Sequence, residues 1–454
     1  MQIKNICCIG AGYVGGPTMS VIALKCPHIS VIVVDSNPDK IKAWNGPLDS
    51  LPVYEPGLAE VVGEARGRNL FFSDDIPGNI EKAEMIFMAV NTPTKTEGEG
   101  AGMAADLRYI KACAKDIAKY SKSNKIIVEK STLPVRTAEK IKEILEENSS
   151  KIHFEILSNP EFLAEGTAIQ DLFKSDRILI GGDETESGQN AVQALVDIYT
   201  NWIPKEKILT TNVWSSELAK LASNAMLAQR ISSINSLSVL CEKTGANIDE
   251  LSKAIGMDHR IGPHFLKASV GFGGSCFQKD ILNLVYLCKY YGLDEVAEYW
   301  HQVVKINDYQ KNRFAEKITD NFDGDLNGKQ IAILGWAFKA NTNDSRESAA
   351  IYVAEKLFDE GATLKIYDPM VTKTSILNDV QFYWKEIPDS IEVQNRIHIE
   401  MSLEDACEKV DAIAILTGWE AFKTKNFNYD RFQSKIFDGR GIIKEAINIY
   451  TLGK

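Results

Sequence analysis

The group in this chain best suited to covalent chemistry is the thiol of Cys276, in the run Gly271-Phe272-Gly273-Gly274-Ser275-Cys276-Phe277-Gln278-Lys279-Asp280. Its glycines strip side chains from the approach to the sulfur and allow close backbone contacts that a Cβ forbids. A neighbouring cation such as Lys279 favours the thiolate, which is the reactive form. The segment reads as a nucleophile presented to a bulky ligand. The remaining cysteines, Cys7, Cys8, Cys26, Cys113, Cys241, Cys288 and Cys407, mostly sit in apolar runs, where cysteine acts as a small hydrophobe. None forms a C-x-x-C pair, and the spacings suit neither zinc nor a disulfide framework. The histidines lack H-E-x-x-H or similar spacing, so no metal is expected.

A second chemical signal opens the chain. Gly10-Ala11-Gly12-Tyr13-Val14-Gly15 follows an apolar strand and begins a helix. Gly10 permits the tight turn, Gly12 lets backbone approach a pyrophosphate, and Gly15 allows close helix–strand packing. The helix N-terminus attracts the phosphate charge. Asp35 follows at the end of the next strand, where a carboxylate binds a ribose 2′-hydroxyl and repels a 2′-phosphate. The expected cofactor is NAD. A nicotinamide accepts hydride and a thiol traps an aldehyde, so together they can take an alcohol past the aldehyde to the acid.

The elements that must position these groups fall into three blocks. In the first, Ile6–Ile9, Val31–Val34, Met85–Val90 and Lys125–Val128 are short apolar runs separated by helical patterns, as in buried parallel strands. The second begins near Val213: Leu218, Leu221, Ala222, Ala225, Ala228, Ile231, Ile234, Leu237 and Cys241 recur at helical spacing. This long helix should start near Asn212 or Ser215 and stop at Gly245. More helix is expected over Ile281–Tyr291 and Val296–Asn321. After a polar junction at Asp323–Gly328, strand–helix alternation returns in Gln330–Gly335, Thr363–Asp368, Ala412–Leu416 and Lys435–Asp438. The expected fold is α/β: two Rossmann-like, doubly wound parallel-sheet domains, residues 1–212 and 326–454, joined by a helical central domain, residues 213–325, with one long helix. The Thr94–Gly102 loop is polar and glycine-rich, a candidate mobile segment.

Composition narrows the function classes. The chain has 454 residues, 44% hydrophobic and 25% charged, which suits two or three globular domains. A net charge of −11 argues against general nucleic-acid binding. No apolar run approaches the roughly 20 residues of a membrane helix. Met1–Ile6 runs straight into a strand and does not read as a signal peptide. Reduced thiols point to the cytoplasm.

Several motifs in order carry a resemblance: Gly10–Gly15, Val90-Asn91-Thr92-Pro93-Thr94, Glu129-Lys130-Ser131-Thr132, Asn159-Pro160-Glu161-Phe162-Leu163-Ala164-Glu165-Gly166, Gly271–Asp280, Phe338-Lys339 and Asp438-Gly439-Arg440. Over nearly the whole chain the sequence resembles the UDP-glucose/GDP-mannose dehydrogenase family, in its animal-type UDP-glucose 6-dehydrogenase branch. The resemblance implies NAD-dependent four-electron oxidation of UDP-glucose at C6, through a thiohemiacetal and then a thioester on Cys276, with hydrolysis to UDP-glucuronate. It implies Glu161 as the base of hydrolysis, Lys220 and Asn224 as oxyanion stabilisers on one helix face, and Asp280 and Thr132 holding water or Lys220 for proton transfer. To the cofactor site it assigns Gly10, Ala11, Gly12, Tyr13, Val14, Gly15, Asp35, Lys40, Val90 to Thr94, Thr132, Glu165, Cys276, Lys279 and Arg346. To the substrate site it assigns Glu161, Phe162, Leu163, Ala164, Glu165, Lys220, Asn224, Arg260, Lys267, Phe272, Gly273, Phe338, Lys339 and Arg440. Arg260 is expected to reach across from a neighbouring subunit, in a homodimer assembling to a hexamer.

Some features depart from the animal pattern. The chain stops at Lys454, before the flexible tail that such members carry, and Gly441 stands where a second arginine is usual. The segment Thr374–Val393 matches poorly and reads as surface loop. Glu129–Val135 resembles a segment linked to feedback inhibition by UDP-xylose. The thiol motif is shared with enzymes acting on GDP-mannose or UDP-N-acetylmannosamine, which remain alternatives. So do a two-electron hydroxyacid dehydrogenase with a helical middle domain and a non-catalytic nucleotide-binding protein.

Overall fold

The computed structural model describes residues 3–148, 152–385, 390–444 and 448–454. The chain divides into two compact units, Met1–Ser223 and Asn224–Lys454.

The first unit is built on eight strands: β1 (Asn5–Ile9), β2 (Ser30–Val34), β3 (Leu70–Ser73), β4 (Met85–Met88), β5 (Lys125–Glu129), β6 (Phe154–Ser158), β7 (Ile178–Gly182) and β8 (Ile208–Asn212). Their order across the sheet is β3-β2-β1-β4-β5-β6-β7-β8. The first six strands are mutually parallel in the order of a dinucleotide-binding sheet. β7 meets β6 antiparallel, and β8 runs parallel to β7. β1, β4 and β5 are apolar runs buried nearly throughout, as expected of parallel strands covered on both faces. The helix Gly15–Lys25 is buried along most of its length, which explains why its sequence has no polar stripe.

The second unit repeats the plan with six parallel strands: β9 (Gln330–Leu334), β10 (Thr363–Tyr367), β11 (Ile397–Ile399), β12 (Ala412–Ile415), β13 (Lys435–Asp438) and β14 (Ile449–Thr451). Their order, β11-β10-β9-β12-β13-β14, reproduces that of the first six strands of the other sheet. The core here is formed by Ile331, Ile333, Ile413, Ile415 and Phe437 with Val353 and Leu357 of the helix Ala349–Asp359. The helices Phe277–Tyr290 and Asp294–Asp320 also belong to this unit.

One continuous helix, Val213–Thr244, contributes residues to both units. The Asn212 side chain accepts from the Ser215 amide at 2.8 Å, an N-cap. Gly245, with φ +75°, ends the helix. Leu221, Ala225, Ala228, Ile234 and Cys241 are buried as their spacing requires, whereas Leu218 and Leu237 remain exposed.

One local expectation changes, and a second loop gains a defined backbone. Most of Thr374–Val393 is helix, in Lys373–Tyr383 and Ser390–Arg396; residues 386–389 lie outside the described residues. Thr372 caps the first of these helices and Ile376 and Val380 bury its inner face. Thr94–Gly102 forms a hydrogen-bonded turn: Lys95 and Ala104 pair at 2.8 Å, Gly102 donates to the Lys95 carbonyl, and Gly98, Gly100 and Gly102 all take positive φ. Among the described residues no helix is long and apolar enough to cross a membrane.

Candidate active site

In the first unit the glycine turn is shaped by steric exclusion at two positions and left open at a third. A Cβ on Gly10 (φ +114°) would lie 2.3 Å from the Ala89 carbonyl oxygen, and one on Gly15 would lie 2.0 Å from the Gly10 oxygen. At Gly12 no heavy atom comes within 4 Å of that point. The turn therefore presents bare backbone to open space at its middle glycine, where a pyrophosphate has to approach. Asp35 accepts from the Ala11 amide at 2.9 Å, the Asn37 amide at 3.0 Å and Lys40 Nζ at 3.0 Å. Burial opposes its charge, but these hydrogen bonds hold its pKa below the ordinary value. Val14 precedes the helix, and Tyr13 donates to Glu55. Burial, then the Glu55 contact, raises the tyrosine pKa. Glu55, which no sequence motif singled out, also accepts from Gly166 at 2.8 Å and Ala168 at 2.6 Å. It thus ties the fingerprint turn to the Glu161–Gly166 segment.

The ends of β4 and β5 are joined. Ser131 donates to the Val90 carbonyl at 2.6 Å and Thr92 to the Thr132 carbonyl at 3.1 Å. Asn91 and Pro93 are exposed beside them, with Thr94 half-buried. Glu161 is anchored at both oxygens: Oε1 accepts from the Phe162 amide at 2.9 Å, and Oε2 pairs with Lys130 Nζ at 2.7 Å. Lys130 was legible only as part of a motif; the structure makes it the partner of the proposed base. The Phe162 ring lies 3.9 Å from the Arg177 guanidinium and 5.4 Å from Lys220 Nζ, and Lys220 is buried. Leu163 and Glu165 are half-buried and Ala164 is exposed on the same loop, the Ala164 amide donating to Asp171 at 2.9 Å.

In the second unit Cys276 is the exposed member of the eight cysteines; the other seven are buried. Burial pushes the Cys7 and Cys407 thiols up to about 12 and so leaves them unreactive. Cys276 stands at the N-cap of the helix Phe277–Tyr290. Lys279 and Asp280 follow in its first turn, joined at 2.7 Å. Asp280 is fully buried and its other oxygen accepts from Asn224 Nδ2 at 2.6 Å. Burial works against the Lys279 ammonium, but Asp280 and then Cys276 raise its pKa. Lys279, Asp280 and Asn224 thus form a chain of polar contacts in the first turn after the thiol.

The strand-like segment before Cys276 is stapled on three sides. Val270 donates to Gly439 O at 2.7 Å, Phe272 exchanges hydrogen bonds with the Asn307 side chain at 2.8 and 3.0 Å, and Gly274 donates to Arg346 O at 2.9 Å. Gly273 packs flat against Glu347 and Ser348, and Gly274 against the Phe338 ring. Arg440 donates to the carbonyls of Leu416 at 2.6 Å and Gly271 at 3.1 Å. Burial pulls its pKa down to about 10, with Asp438 opposing. Lys267 passes 3.4 Å from where a Gly441 Cβ would stand, and burial lowers its pKa. Lys339 lies 5.6 Å from the Phe338 ring. Arg346 and Arg260 are each paired with a nearby acid, Asp344 and Asp258, at 2.6 Å, and both arginines are exposed.

The glycine turn after β9 is capped by a carboxylate from the next strand, as the first turn is by Asp35. Asp368 Oδ2 accepts from the Trp336 amide at 2.7 Å, the Ala337 amide at 3.0 Å and Trp419 Nε1 at 3.1 Å. Its other oxygen accepts from Met370 and Val371.

Residues 4–203 match the UDP-glucose/GDP-mannose dehydrogenase family, NAD binding domain; residues 214–309 match its central domain and residues 332–445 its UDP binding domain. The chain belongs to the UDP-glucose/GDP-mannose dehydrogenase family. It is 55% identical over 468 residues to a UDP-glucose 6-dehydrogenase of Gallus gallus, covering 100% of this chain and 94% of that protein. It is 54% identical over 467 residues to UDP-glucose 6-dehydrogenase 3 of Oryza sativa subsp. japonica, covering 99% and 97%, so a plant relative matches nearly as well as an animal one. Among solved structures, a UDP-glucose dehydrogenase from Pyrobaculum islandicum superposes with a TM-score of 0.84 at 29% identity, covering 99% of this chain and 97% of that one. The family's NAD binding domain fixes the cofactor of the first unit as NAD, which the open Gly12 position fits. Its UDP binding domain coincides with the β9–β13 sheet, next to the loops that staple the Cys276 segment.

Proposed function

We propose that this protein oxidises UDP-glucose at C6 to UDP-glucuronate with NAD. The observation that carries the reading is the exposed Cys276 thiol, held on a stapled glycine segment and followed by the hydrogen-bonded Lys279, Asp280 and Asn224 cluster.

NAD, when bound, would accept a hydride, and two NAD molecules in succession would take the two that the reaction releases. The chain's residues do the rest. Asp280 and Thr132 hold water or Lys220 in place for transfer of the C6 hydroxyl proton during the first oxidation. The Cys276 sulfur then adds to the aldehyde carbon, and its pair of electrons becomes the carbon–sulfur bond of a thiohemiacetal. Lys220 and Asn224 stabilise the alkoxide oxygen, a term worth roughly 3–4 kcal/mol for one well-placed donor. Loss of the second hydride leaves a thioester. Glu161 then takes a proton from water as its oxygen adds to the thioester carbon. The carbon–sulfur bond breaks with its electrons on sulfur, and the carboxylate product forms.

Residues 1–212 take the NAD-binding role, 326–454 the UDP-sugar role, and 213–325 the helical connection in this proposal. Arg260, Lys267, Phe338, Lys339 and Arg440 serve the nucleotide sugar, and Arg346 and Glu165 the cofactor. The exposed apolar residues of the long helix, Met226 and Leu240 among them, suit a dimer that assembles further, and seven buried reduced thiols suit a cytoplasmic setting. The test is NADH yield on UDP-glucose, GDP-mannose and UDP-N-acetylmannosamine in parallel. The expected result is about two NADH per UDP-glucose and little from the others. Preference for GDP-mannose would overturn the substrate, and a yield near one would overturn the covalent route.

A further inference from the structure

Lys130 is a buried cation whose every proton is spent. Its side chain is 1% exposed. Nζ lies 2.7 Å from Glu161 Oε2, 3.1 Å from Asn159 Oδ1 and 3.3 Å from the Tyr199 hydroxyl. An ammonium has three donors, and these are three acceptors. The Tyr199 hydroxyl gives its own proton to Asn159 Oδ1 at 2.7 Å, so toward Lys130 it can only accept. Asn159 Nδ2 donates to the Leu179 carbonyl at 2.8 Å, which fixes the orientation of the amide and points its oxygen at the ammonium. Burial works against the charge, but Glu161 and then Tyr199 outweigh it and raise the lysine pKa.

An ion pair of this kind is a poor stability device, because removing an ammonium from water costs several kcal/mol before any attraction is counted. Its geometry has a different use. Lys130 and Asn159 directly follow β5 and β6, at the carboxyl end of a doubly wound sheet, where such sheets bind ligands. Only Glu161, 14% exposed, reaches outward from the cluster. With Oε1 held by its neighbour's amide and Oε2 by the ammonium, the carboxylate has one fixed plane.

We propose that Lys130 is a positioning residue for Glu161, fixing the carboxylate that takes the proton of the hydrolytic water. The inference rests on the thioester reading given above. It assigns Lys130 to the last step alone: water oxygen adds to the thioester carbon, one water proton goes to Glu161, the carbon–sulfur bond breaks with its electrons on Cys276, and the acid product ionises to solvent. Both oxidations precede that step.

The test is Lys130→Met beside Glu161→Gln and the double variant, with NADH followed from the first turnover and intact protein mass read after acid quench. Lys130→Met should lower steady-state kcat by ~100-fold, the cost of about 1 Å of misplacement, and lower KM for UDP-glucose with it, leaving kcat/KM within about twofold because the slowed step follows both oxidations. A rapid burst of about two NADH per site should precede the slow phase, and a sugar-nucleotide adduct should accumulate on the protein. The double variant should be no slower than Glu161→Gln, since both changes remove one function. Unchanged kcat, or a loss without burst and adduct, overturns the proposal. If Lys130→Met does not fold, Lys130→Gln removes the charge while keeping polar contacts to Asn159 and Tyr199, and the same outcomes decide. If Glu161→Gln gives the burst and the lysine variants do not, the positioning role fails and the reaction stands. If no variant ever shows an adduct and the unaltered enzyme yields one NADH, the thioester reading itself has failed.

Discussion

Replacing Gly273 by alanine tests whether the backbone ahead of the thiol is set by its packing. A Cβ at this position would stand 2.3 Å from the Glu347 carbonyl oxygen and 2.9 Å from Ser348 Cα. Both are backbone atoms, so no side chain can swing aside. Reaching ordinary van der Waals contact requires about 1 Å of movement. Glu347 already sits at φ +54°, and its side chain is engaged with Gln278 at 3.0 Å, so the opposing segment has little freedom. Overpacking of this kind costs ~1–3 kcal/mol, which for a unit of this size lowers Tm by about 2–12 °C. Cys276 follows three residues later, and 1 Å of misplacement at a reacting centre costs ~100-fold in rate. The assay is kcat with UDP-glucose and NAD, with thermal melting and alkylation of the exposed thiol alongside. The expected outcome is a folded protein whose kcat falls about 100-fold while the thiol still reacts with small reagents. A variant with unchanged kcat and Tm would refute the reasoning.

Gly12→Ala is the converse case: with nothing within 4 Å, it should leave Tm of the free protein within a degree or so and weaken NAD affinity by at least ~10-fold, read by fluorescence titration; unweakened binding would remove the cradle. Asp280→Asn keeps the shape but removes the charge between Lys279 and Asn224; kcat should drop ~100-fold, with UDP-glucose affinity nearly kept, as a calorimetric titration can check. Glu129 and Glu217 form a buried carboxyl pair: Glu217 accepts from the Arg136 and Ala138 amides at 2.8 Å, while both Glu129 oxygens are buried without a donor. Burial, then Glu217, raises the Glu129 pKa well above its ordinary value. The folded protein thus keeps a proton that the unfolded chain releases, so stability falls as pH rises above the ordinary carboxylate range. Glu129→Gln should flatten the slope of urea midpoint against pH between pH 5.5 and 8; parallel slopes for the two proteins would contradict it.

The parts of the fold that announce themselves are those whose local rules agree. β1, β2, β4 and β5 are unbroken apolar runs, and the Val213–Thr244 helix has a capping asparagine, a regular stripe and a glycine stop. β3, β8 and β11 do not read as strands because they are short edge or near-edge pieces; β8, Ile208–Asn212, is largely exposed and polar. The Lys373–Tyr383 helix hides because its buried apolar positions are few and its cap is a single hydroxyl. At the site, glycine and cysteine spacing marked the turn and the nucleophile, since those types are used where other residues cannot serve. The partners were silent: Glu55 and Asn307 act across long sequence separations through backbone amides, and no spacing rule links them to the groups they hold. Arg440 was legible as a charge after a strand, but its carbonyl contacts depend on three loops that only the folded sheet brings together.

The most direct measurement is intact-mass analysis of protein quenched during turnover with UDP-glucose and NAD, followed by peptide mapping of the modified site. The account predicts a fraction of chains carrying the sugar nucleotide through the Cys276 sulfur, absent in Cys276→Ser, which makes no UDP-glucuronate. Full acid production by Cys276→Ser, or quenched wild-type protein that never bears the adduct, would contradict it.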